Sequence, residues 1–143
     1  ANMVKNGGFE ALEKLSAEAK KYIAPLPIDY EPDEEAAGMF GLMMMTSGKH
    51  TDPENVAKAQ ALKDATMGWF IAQNLKSKFV HLNGNYHSDF KKGIITYLNK
   101  YRPGLKIATV CSVRQDDIKK LGEENEGRAD FYICVPTDMT MTY

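Results

Sequence analysis

Between residues 79 and 135 the chain alternates short apolar runs with helical or polar stretches, and no other feature of the sequence restricts its fold as tightly. Phe79-Val80-His81-Leu82-Asn83 stops at a glycine, Lys106-Ile107-Ala108-Thr109-Val110-Cys111-Ser112-Val113 follows, and Ala129-Asp130-Phe131-Tyr132-Ile133-Cys134-Val135 closes the series. Runs this short, rich in β-branched and aromatic residues, read as strands. Between the first two, Ile94, Ile95, Tyr97 and Leu98 keep helical spacing. Ser88 or Asp89 can cap that helix, and Arg102-Pro103-Gly104 ends it. A polar helix from about Gln115 to Glu124 separates the second and third runs. Near-continuous apolar strands joined through helices imply a parallel sheet covered on both faces. The predicted class is α/β, three-layer, with a mostly parallel sheet flanked by helices.

The amino-terminal part reads differently. Phe9, Leu12, Leu15, Ala19 and Ile23 make an amphipathic helix that ends before Pro25-Leu26-Pro27, and an extended connector runs to Pro32-Asp33. A helix over 34–45 is weakened by Gly38 and Gly41, and Thr46-Ser47-Gly48-Lys49-His50 reads as a loop. Thr51 or Asp52, then Pro53 and Glu54, form a strong helix start. From there Val56, Ala59, Leu62, Ala65, Trp69 and Ala72 draw one apolar stripe to about Leu75, the longest predicted helix. The organisation expected is a helical insertion or cap over 1–52 and an α/β half-domain over 53–143. The first part supplies no convincing strand, so the domain is expected to be incomplete.

With 43% hydrophobic and 26% charged residues, the chain can bury a core. Its 18 Lys and Arg against 19 Asp and Glu leave no field to steer nucleic acid, so that partner is excluded. Cys111 and Cys134 sit in apolar runs and read as buried, inert thiols. No apolar run approaches the roughly 20 residues that span a bilayer. The start ANMVKNGGFE shows no export signal, yet the chain does not begin with Met, so a signal removed from a mature or trimmed chain is compatible with it.

Ligands of open α/β sheets collect outside the carboxyl ends of the strands. The loop 84–89, Gly84-Asn85-Tyr86-His87-Ser88-Asp89, holds that place after the first predicted strand and packs imidazole, phenol, amide, hydroxyl and carboxylate into six residues. His87 can ligate a metal through a neutral nitrogen or act as acid and base, with Asp89 or a backbone carbonyl fixing its tautomer. Tyr86 can meet ferric iron as a phenolate. The plain alternative is a turn and helix cap with His87 in solvent. His81, inside the strand, reads as a hydrogen-bonded core histidine or as support for the loop. His50 reads as a loop residue. The cluster Met39-Phe40 and Leu42-Met43-Met44-Met45 reads as packing, with an apolar ligand such as a porphyrin as the alternative. Lys63-Asp64 reads as a helix-surface charge pair whose side chains can reach a site lined by that helix. Gly-x-Ser-x-Gly, Walker, His-Glu-x-x-His and Cys-x-x-Cys motifs are all absent.

Three motifs in order carry a likeness. Ala59-Gln60-Ala61-Leu62-Lys63-Asp64-Ala65-Thr66-Met67, His81-Leu82-Asn83-Gly84-Asn85-Tyr86-His87 and Arg128-Ala129-Asp130-Phe131-Tyr132 resemble the helix, the strand with Gly-x-x-His, and the closing Ala-Asp strand of ChaN-like domains. That haem-binding uptake family is grouped with the Tiki proteases and erythromycin esterases. The likeness runs from about Ala59 to Pro136 and points to the carboxyl-terminal half of the domain. Lys63 stands where the family has Arg, Gly68 where Ala is usual, and the family's Gly-Glu-x-His motif is absent, so the chain is expected to hold half of a composite site.

The resemblance implies haem or iron binding in a cell-envelope uptake protein. Members are often lipoproteins, so membrane attachment would run through a lipid anchor. Tyr86 and His87 would meet the iron or another divalent metal, Gly84, Asn85, Asp89 and Lys63 would contact the ligand, and His81 and Asp64 would support them. A metal-dependent hydrolase using Gly84-x-x-His87, with His87 catalytic, is the second reading, and a non-catalytic interaction module is the third. Unpaired strand edges on a half-sheet also suggest a homodimer.

Overall fold

The computed structural model describes residues 1–32, 34, 38, 41–42 and 52–140, which divide into two compact units, Ala1–Asn74 and Leu75–Tyr143. His50 and most of the methionine cluster lie outside the described residues. Within it, Leu42 is helical and exposed.

In the first unit, α1 (Asn2–Gly7) packs on the long helix. A 3-10 turn (Phe9–Lys14) and a four-residue α2 (Ala17–Lys20) follow. The single helix expected over 9–23 is therefore broken. Leu15 is extended, and the Ser16 hydroxyl accepts from the Ala19 N–H at 3.1 Å, restarting the helix locally. Helix α3 (Pro53–Asn74) forms as expected. Asp52 caps it by accepting the Glu54 N–H at 3.0 Å, and Pro53 occupies the first turn, where an N–H has no helical partner.

The expected stripe is the buried one: Val56, Ala59, Leu62, Ala65 and Ala72 face inward, with Trp69 half-buried. Val4 and Leu12 complete this core, and Val4 is wholly enclosed. Burying a side chain of that size stabilises by about 1.5–3 kcal/mol. The connector is strapped to α3, since Ala24 donates its N–H to the Thr66 hydroxyl at 3.2 Å and Tyr30 packs on Val56 and Ala57. One residue departs from the surface reading. Asp64 is only 4% exposed, whereas Lys63 is exposed and bonds Gln60 at 3.0 Å, so the two do not form a surface charge pair.

The second unit carries the α/β character. Two 3-10 turns (Asn85–His87 and Asp89–Lys91) lead into α4 (Ile94–Tyr101), followed by β1 (Val110–Gln115), a 3-10 turn (Glu123–Asn125) and β2 (Phe131–Pro136). The strands pair in parallel, with Val110 opposite Phe131 and Gln115 opposite Pro136. Helices with a small parallel sheet are the signature of an incomplete α/β domain. Cys111 and Val113 are buried on one face of the pair, while Val110, Phe131 and Ile133 are exposed, so burial alternates and, among the described residues, cover is seen on one face.

Two expected elements take another form. Residues 79–83 form neither strand nor helix and pair with no strand among the described residues, and Phe79, Val80 and Leu82 are exposed. Their β-preferring side chains favour extension, yet a strand exists only where a neighbour supplies the ladder. The polar helix near 115–124 is a turn. Gln115 ends β1, and its buried carboxamide donates to the Asp117 and Lys120 carbonyls while accepting the Gly122 N–H at 3.2 Å. Asp117 adds a bond to the Lys119 N–H, the local competition that makes Asp a turn residue.

Candidate functional site

The 84–89 loop is built by its own short polar side chains. The His87 N–H donates to the Gly84 carbonyl at 3.0 Å and the Ser88 N–H to Asn85 at 2.9 Å, closing the first 3-10 turn. Asn83 bonds the Ser88 hydroxyl at 3.0 Å, and Asn85 reaches the Ser112 carbonyl of β1 at 2.9 Å. The turn thereby presents Tyr86 and His87 side by side. Their rings meet edge to face at 5.5 Å and 79°. Tyr86 is 41% exposed and His87 half-buried, so both stay within reach of a ligand.

The next three residues bind to the segment that enters β2. Asp89 Oδ2 accepts from Arg128 Nη2 at 2.7 Å and Nε at 3.1 Å. The Phe90 N–H donates to the Arg128 carbonyl at 2.9 Å, and Lys91 pairs with Asp130 at 2.6 Å. Arg128 is itself aimed by Asn125, whose Oδ1 accepts from Nη1 at 2.6 Å. Asp130 is held by the Thr109 N–H at 2.8 Å and by its hydroxyl at 3.0 Å. Phe90 and Lys91 take left-handed backbone angles, φ 56° and 58°. For non-glycine residues such angles cost about 1–3 kcal/mol each and persist only where the surroundings enforce them. Charge-assisted bonds, worth about 1.5–3 kcal/mol each, are of the size to do so.

Charge states follow from the same contacts. The Lys91 ammonium, then the Thr109 N–H and hydroxyl, pull the Asp130 carboxyl down to about 2. The bond to Asp89 holds the Arg128 guanidinium above its ordinary value. Burial, then the Asp89 charge, push the Cys111 thiol up. Cys111 is thus a buried neutral thiol, whose Sγ lies 3.6 Å from Asp89 Oδ1; Cys134 is half-buried and also free.

Of the residues singled out in the sequence, Gly84, Asn85, Tyr86, His87 and Asp89 share one turn system. Asp89 does not cap α4, which starts after Gly93, and its Oδ2 is engaged by Arg128. His81 is exposed and not a core histidine. Lys63 and Asp64 belong to the other unit. Arg128, Asn125, Thr109 and Asp130 were not singled out as site residues. Only the Arg128-Ala129-Asp130 motif hinted at two of them.

The family model for haem-binding uptake proteins of the Tiki superfamily, ChaN, matches residues 1–98. It reaches through the helical first unit and the 84–89 loop but stops before β1, so it covers the stretch read from sequence as a helical insertion or cap and leaves out Arg128-Ala129-Asp130. No curated protein and no solved structure matches the chain. With 98 of 143 residues matched and the Gly84-x-x-His87 turn inside that span, the chain belongs to the ChaN family of haem-binding uptake domains in the Tiki superfamily.

Proposed function

We propose that the chain binds haem at the 84–89 loop, with the iron met by Tyr86 or His87 and the other of the two beside it as a hydrogen-bond partner. The observation that carries this reading is the exposed Tyr86 next to a half-buried His87 on one pinned turn, inside the residues matched by a haem-uptake family. The donor set fits the group. Haem would bring its iron already held by the ring and would ask little more of the protein than one donor, which Tyr86 or His87 could supply. A bare ion asks for three or more, and among the described residues no three His, Cys, Asp or Glu side chains gather to hold one. When bound, haem would supply the coordination sites and the colour by which it is followed. The turn's task is to fix the two rings. Gly84 keeps the backbone beside them bare. His81, exposed just before the loop, remains a candidate supporting residue.

The same reading places the protein in the cell envelope, attached through a lipid anchor and working in iron or haem uptake. The test is a haemin titration of the 143-residue chain followed by visible absorbance. Saturable binding is expected, with Tyr86→Phe and His87→Ala each weakening it about tenfold or more, as loss of metal-site partners commonly does. Wild-type affinity in both variants would refute the ligand assignment.

A further inference from the structure

The 84–89 turn ends in a conformation it does not hold unaided. Phe90 and Lys91 are both left-handed, directly after Asp89 and three and four residues after His87, and neither is glycine. Each of these three consecutive residues is tied to the 128–130 segment: Asp89 by the Arg128 side chain, Phe90 by the Arg128 carbonyl, and Lys91 by Asp130. Arg128 is the member shared by most of these ties. Its guanidinium uses Nε and Nη2 on one carboxylate oxygen and Nη1 on Asn125, an arrangement that a planar fork can satisfy and a point charge cannot. The Asp89 and Arg128 side chains are 18% and 22% exposed, so the pair is sheltered enough for solvent not to compete it away.

We propose that Arg128 is a positioning residue, which through Asp89 and the Phe90 backbone fixes the turn that presents Tyr86 and His87. Its consequence for haem rests on the haem reading, but its consequence for the turn does not. Arg128 and its orienting partner Asn125 lie outside the matched residues, so the site's geometry is set from a part of the chain that the family match does not include. An ion pair serving only the fold would stabilise the unit without setting the angle of the two rings. A positioning pair alters the ligand's spectrum when it is broken.

Two readouts on the full chain separate these. Without haem, hydrogen exchange is measured in wild type, Arg128→Gln, Arg128→Lys and the swap Asp89→Arg with Arg128→Asp. Exchange at the His87, Ser88 and Phe90 amides is expected to rise about tenfold or more in Arg128→Gln, with β1 and β2 amides unchanged. Arg128→Lys, which keeps the charge and loses the fork, should fall between, and the swap should restore protection. With haemin, Arg128→Gln is expected to shift the visible band and weaken affinity about tenfold while the far-ultraviolet dichroism is unchanged, and the swap to move both back. Wild-type protection at His87 and Ser88 in Arg128→Gln overturns the proposal. So does raised exchange with an unchanged band and affinity, because the pair would then be a structural tie only. Should Arg128→Gln fail to fold, the comparison of Arg128→Lys with the swap decides in the same way. Should wild type bind no haem, the haem reading falls, and exchange together with the Tyr86 and His87 ring resonances decides the positioning claim alone.

Discussion

Gly84 has no backbone reason to be glycine. Its φ of −67° suits any residue, and a Cβ built there meets nothing within 4 Å. Contrast Gly93, at φ 56°, where a side chain would be strained. A glycine that the fold does not need can still be one that a close-lying ligand needs. Gly84→Ala is therefore expected to leave the unfolding midpoint in urea unchanged or slightly raised, through a less flexible unfolded chain. Haemin affinity should fall at the same time, and a variant that binds as wild type would show that no ligand approaches this backbone. At this scale the sequence was informative about which side chains form the turn, because Gly, Asn, Ser and Asp bond to their own neighbours. It was silent on where Asp89 points. That depends on Arg128, 39 residues away, and no local pattern encodes a contact across that span.

Elements were legible where their reasons are local. Helix α3 carries its cap, its Pro and its stripe in adjacent residues, and it forms over Pro53–Asn74 as read. The 79–83 run carries only a preference for extension, and the partner that would make it a strand is not encoded in it. The 115–124 stretch failed for a third reason. Its polar residues suit a helix surface, but the Gln115 side chain captures the backbone groups that a helix would use. The link between the second 3-10 turn and β2 is also an element-scale device, and it titrates. Asp130 sits near pKa 2 when folded, against about 3.9 for an unfolded aspartate. A depressed carboxyl contributes stability that is fully present above the unfolded value and lost as pH falls through the folded one. The Lys91–Asp130 tie should thus hold at pH 5 and weaken between about pH 4 and 2. Amide exchange at Lys92 should rise over that window in wild type, and Asp130→Asn should remove the step. A step of equal size in Asp130→Asn would assign it to another group.

For the whole molecule, the α/β class was legible from alternation, whereas the extent of cover on the sheet was not, because apolar composition states a need for burial without naming what meets it. Val110, Phe131 and Ile133 are 59, 61 and 57% exposed on one face of the β1–β2 pair, and the 79–83 run adds Phe79, Val80 and Leu82. Apolar surface shared by an open sheet face and an exposed run outside the sheet is what second copies of a chain use to associate. The homodimer expected from the sequence is proposed to form there. Ile133→Glu tests it with little risk to the fold: the side chain already meets water, and Arg114 lies on the same face two positions along the paired strand. The change should alter stability by no more than about 1 kcal/mol. Light scattering across a range of concentrations should show wild type gaining mass and Ile133→Glu remaining a monomer. If both associate alike, copies meet through another surface; if neither does, the face is not self-complementary and the homodimer expectation fails.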